Sequence, residues 1–102
     1  MPTKQSHETF DDLQHLVKKG HGARLRAWAA AGGDVNLRNE HGWSLLMLAA
    51  LHGRTDIAEE LLAAGADANL ENDFADTAVS LARLKGFNRT AQAIERAIRA
   101  GV

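Results

Sequence analysis

The chain has 102 residues, 45% hydrophobic and 25% charged, which suits one small soluble domain with a modest core. Its 12 lysines and arginines nearly balance 13 aspartates and glutamates, so the basic excess that drives nucleic-acid binding is missing. The absence of cysteine excludes a disulfide framework, thiol chemistry and a cysteine-ligated zinc site.

Residues 1–8 are polar, contain the single proline, Pro2, and show no apolar period. They are expected to form a flexible segment ahead of a domain over 9–102. Neither an apolar leader nor a run near the ~20 residues that cross a bilayer is visible, so a cytoplasmic protein without membrane contact is expected. The next stretch carries apolar Phe10, Leu13 and Leu16, polar Asp11, Asp12, Gln14 and Lys18, and then Gly20. Trp28 reads as core on a second helix that runs into Gly32-Gly33-Asp34-Val35-Asn36-Leu37.

The middle stretch is clearest. Leu45 to His52 reads as one helix, with Ser44 as its cap and Gly53 as its stop, because glycine readily takes the left-handed conformation there. Asp56 to Ala64 reads as a second, capped by Thr55 or Asp56 and ended by Gly65. Ile57, Leu61 and Leu62 form its buried stripe, while Glu59, Glu60 and Ala63 face out. The last stretch repeats the scheme with Thr77, Val79, Leu81, Ala82, Gly86 and Ile94, and presents Arg89, Gln92, Arg96 and Arg99 to water.

These stretches are copies of one another. Gly32 to Leu37 recurs as Gly65-Ala66-Asp67-Ala68-Asn69-Leu70, an offset of 33 residues. The same offset relates Gly20 to Gly53 and Gly86, Ala49 to Ala82, and Trp28 to Leu61 and Ile94. Helices this short are marginal alone, and a pair of them cannot bury its own apolar face. Stacking units side by side solves both problems, so an all-α repeat solenoid is expected, with units over 9–38, 39–71 and 72–102.

In its residues the middle unit resembles the ankyrin repeat: Gly42, Ser44, Leu46, Ala49-Ala50, Gly53, Ile57, Leu61-Leu62 and Gly65-Ala66-Asp67-Ala68-Asn69 follow that pattern. The similarity covers about nine-tenths of the chain. Leu45 and Met47 depart from it, standing where the family has proline and histidine, so a less sharp helix start is expected. Ala75 stands where a turn glycine is expected, which predicts a distorted or shifted third hairpin.

The resemblance implies three helix-pair repeats with the outer ones as caps, and a non-catalytic module that binds another protein. It implies contacts through the hairpin tips, here Arg38, Glu40, His41, Trp43, Glu71, Asp73, Phe74 and Asp76. It also implies contacts through the face of each first helix, here Leu51, His52, Leu84 and Lys85. Trp43 stands at a variable, exposed position and is the sharpest hot-spot candidate. The competing reading folds it onto the neighbouring hairpin as local core. Phe74 is either exposed or buried by the shifted turn, and Leu51 and Leu84 either join an apolar patch or pack as core.

Acidic Glu40, Glu71, Asp73 and Asp76 are placed to steer a basic partner. An adaptor, inhibitor or immunity protein fits, in monomeric or weakly dimeric form. The alternative is a self-assembling homodimer using the same patch. No catalytic role, cofactor or metal is expected: His7, His15, His21, His41 and His52 form no ligand pair on one helix, and no nucleophile elbow or phosphate loop is present. Asp34 and Asp67 read as turn structure, with carboxylates accepting from nearby backbone N–H groups.

Overall fold

The computed structural model describes residues 9–100, so the flexible segment expected over residues 1–8 lies outside the described residues. Six helices follow in order: α1 Phe10–Lys19, α2 Gly22–Ala30, α3 Leu45–Leu51, α4 Thr55–Ala63, α5 Ala78–Leu84 and α6 Asn88–Ala100. The extended pairing among the described residues is a lone antiparallel bridge between Arg38 and Ser44.

Each first helix starts on a hydroxyl. Ser44 Oγ accepts from Met47 N at 3.2 Å, Thr77 forms a capping box with Ser80, and Thr9 forms one with Asp12. The expected weak start of α3 is therefore absent. Leu45 and Met47, which replace proline and histidine of the family pattern, are fully buried and fill the core instead.

The turns into the second helices are alike in all three units. Gly20, Gly53 and Gly86 adopt left-handed φ values of 80°, 65° and 81°. The next N–H reaches back to Leu16 O, Ala49 O and Ala82 O respectively, at 2.8 Å each time. This closure satisfies the orphan carbonyls of the first helix. It leaves the second helix without a side-chain cap: Arg54, not Thr55 or Asp56, occupies the cap position of α4. Thr55 has another task, since its Oγ1 lies 2.7 Å from Thr90 Oγ1 on α6.

The first helices α1, α3 and α5 pack side by side as a front layer, and α2, α4 and α6 as a back layer. Leu13, Leu45, Leu46, Met47 and Ile94 are buried between them. Glu60 does not simply face out; it pairs with Arg26 of the neighbouring back helix. Leu62 is half-buried, and so is Trp28, whose ring packs against Gly33. A Cβ on Gly33 would stand 2.2 Å from a ring carbon.

The ends of the stack explain themselves by the same offset. Leu45 and Leu48 are buried, but Asp12 and His15, at the matching places of the first unit, are exposed. Met47 and Ala50 are buried, while Ser80 and Arg83 of the last unit are exposed. Arg83 is ion-paired with Glu95, so polar side chains stand where an inner unit meets its neighbour.

Candidate functional site

Two hairpin tips project between the helix pairs, and one asparagine organises each. Asn39 Oδ1 accepts from the backbone N–H groups of His41 and Trp43, both at 2.9 Å. Asn72 Oδ1 accepts from Phe74 N at 2.9 Å and Asp76 N at 3.0 Å. Short polar side chains close turns this way because they stand in for a backbone acceptor. The turn is completed by Gly42 N donating to Asn39 O and Ala75 N donating to Asn72 O.

The expected distortion at Ala75 does not occur. Ala75 takes φ 64°, the left-handed value that Gly42 takes at 83° in the preceding tip. The hydrogen-bond frame holds the alanine in a conformation glycine adopts more readily, and the register is unshifted.

The tips are also bonded to one another. Asp73 N donates to His41 O at 3.0 Å, and the Arg38 guanidinium donates to Glu71 O at 3.2 Å. Behind them, Asn36 Oδ1 accepts from Asp67 N at 2.7 Å, and Asn36 Nδ2 donates to Gly65 O. Asp34 and Asp67 close their turns onto Asn36 N and Asn69 N, both at 2.9 Å. The result is a hydrogen-bonded ledge rather than two independent loops.

On this ledge Glu40, His41, Glu71, Asp73 and Phe74 are exposed, and Asp76 is half-buried. The His41 ring lies between two carboxylates, with Nε2 3.8 Å from Glu40 and Nδ1 3.7 Å from Asp73. Phe74 is 70% exposed. Trp43, which the sequence left between an exposed anchor and local core, is half-buried and packed against the core. Leu51 is likewise half-buried, whereas Leu84 is 76% exposed. The apolar patch is therefore not a continuous Trp43–Leu51–Leu84 surface: of the three only Leu84 is bare, and Phe74 stands exposed separately on the tip.

His52 and Lys85 are exposed at the C-terminal ends of α3 and α5. Burial lowers the pKa of His52 below the usual histidine value, and the charges of Lys18, Arg54 and Lys85 lower it further. Of those neighbours only Lys85 was among the binding residues expected from the sequence; Lys18 and Arg54 were not. Their signal is the offset, which puts Lys18 in register with Leu51 and Lys19 in register with His52. Asn39 and Asn72 share that offset but present no side chain to a partner, so only the structure shows what they do. No group of three or more histidine, aspartate and glutamate side chains among the described residues is arranged to hold a metal ion.

Helix pairs stacked at a constant interval, with a bonded ledge of tips, define a helical repeat solenoid. A family profile described as ankyrin repeats in many copies matches residues 29–82, more than half of the chain. The chain belongs to the ankyrin-repeat family. A search of curated proteins returns no match. Ankyrin repeats are generally protein–protein interaction modules and typically non-catalytic. Among the described residues no helix is long and apolar enough to cross a membrane.

Proposed function

We propose that the protein is a non-catalytic binder of one protein partner, gripping it with the tip ledge and the front helices. The observation that carries this reading is Phe74. A ring 70% exposed is held at the apex of a turn that is fastened at Asn72 and at His41. Large aromatic side chains dominate interface energetics when a partner buries them. A rigid mount lowers the ordering entropy lost on binding.

Glu40, Glu71 and Asp73 stand exposed on the same pair of tips, so the partner's contacting surface is basic beside an apolar pocket. An inhibitor or immunity protein that covers a basic site on an enzyme fits this chemistry. The domain spans residues 9–102, with cytoplasmic residence.

The test uses wild type and Phe74→Ala immobilised side by side in lysate of the native host. Because the ring is exposed, Phe74→Ala is expected to melt within about four degrees of wild type, as surface changes of ~0.5 kcal/mol or less do. A protein retained by wild type and lost by the variant supports the reading. Equal retention by both moves the interface away from the tips.

A further inference from the structure

The near-zero net charge conceals a division across the molecule. The two tip segments, residues 32–44 and 65–77, carry Asp34, Glu40, Asp67, Glu71, Asp73 and Asp76 against one base, Arg38. The opposite edge, where first helices turn into second helices, carries Lys18, Lys19, Arg54, Lys85 and Arg89, with His52 among them, against one acid, Asp56. Within the described residues, none of Lys18, Lys19, His52 and Lys85 makes an ion pair. Lys19, His52 and Lys85 occupy one register position in three adjacent helices, and Lys18, Leu51 and Leu84 the position before it.

Helix dipoles explain part of this arrangement, since cations favour C-terminal ends. They do not explain crowding. Burial first, and then the charges of Lys18, Arg54 and Lys85, disfavour protonation of His52, so like charges meet along the row. Arg54 is fixed there by donating to Lys18 O at 2.6 Å.

We propose that this ridge is the second half of the binding surface and takes a carboxylate-bearing stretch of the same partner segment. The inference rests on the protein-binding reading above and adds the partner's polarity. The segment lies across the front helices with its basic end on the tips and its acidic end on the ridge. Leu84 and the exposed part of Leu51 meet apolar residues between them. The front helices α3 and α5 have seven residues each. That is about 10 Å, which three or four extended residues cross. Nucleic acid and anionic membrane fit less well, because they would leave the leucines unused and bring like charge to the tip acids.

Synthetic peptides test this directly. One carries lysines, about four apolar residues, then glutamates. A control carries lysines at both ends. Each is titrated into isotope-labelled protein, with a nitroxide placed at either end of the first peptide. The glutamate-end label is expected to broaden the amides of Lys19, His52 and Lys85, and the lysine-end label those of His41, Asp73 and Phe74. Lys18→Glu combined with Lys85→Glu is expected to weaken the bipolar peptide about tenfold and to tighten the control, whose second lysine end then meets acids on the ridge.

Tip contact by both peptides without ridge broadening overturns the ridge while leaving the protein-binding reading in place. No contact by either peptide overturns both. Duplex DNA that competes for the ridge more strongly than the bipolar peptide assigns it to another ligand. So does a concentration-dependent dimer in sedimentation whose interface is the ridge.

Discussion

Ala75 shows how the tip frame constrains one residue. An alanine at φ 64° is strained, because its Cβ crowds the backbone where glycine has none. Ala75→Gly is expected to stabilise the domain by about 0.5–1 kcal/mol, the strain relieved outweighing the extra freedom of the unfolded chain. Thermal melting should record a rise of a few degrees. A fall would mean that the frame does not impose the strain.

His52 carries a pH signature. Its folded pKa is lowered, so the folded protein binds fewer protons there than the unfolded chain. The stabilising contribution is complete above the unfolded value near 6.5 and is lost as pH falls through the lowered folded value. His52→Asn should therefore lose less melting temperature than wild type between about pH 8 and pH 5. An identical pH dependence in the two proteins would contradict the lowering of the His52 pKa by burial and the cations around the ring. A partner carboxylate on the ridge would act oppositely, raising the pKa and tightening binding as pH falls.

At the scale of elements, the helices were largely legible. The hydroxyl cap at Ser44, the glycine stops and the aspartate-closed turns are local chemistry, and the chain spells them out. Ser44→Ala should destabilise the domain by about 1 kcal/mol in urea unfolding, because Met47 N loses its acceptor. No change would show that the start of α3 is held by packing alone. The second-helix starts were not legible, because the cap residue is chosen by the glycine closure rather than by Thr55's own preference. Trp43 was left between two readings for a related reason. Its register position is variable, but neighbouring core atoms decide how far its ring folds inward. The Ala75 hairpin was also misjudged: a preference for glycine was set against a frame of several hydrogen bonds, and the frame prevailed.

The whole molecule is an elongated stack, 44 × 26 × 25 Å, whose two edges differ in charge and whose ends carry polar side chains. The repeat and its family were readable from a single offset, which follows from the need of short helix pairs for neighbours. The acidic tips were readable too, but the basic edge opposite them was not, because residues far apart in sequence converge there only once the units stack. Hydrogen exchange on the domain with its captured partner tests the central claim most directly. Binding through the ledge and front helices predicts slowed exchange at His41, Asp73, Phe74 and the end of α5, with the exposed sides of α2 and α4 unchanged. Slowing confined to α2 and α4 would place the partner on the back layer and contradict the account.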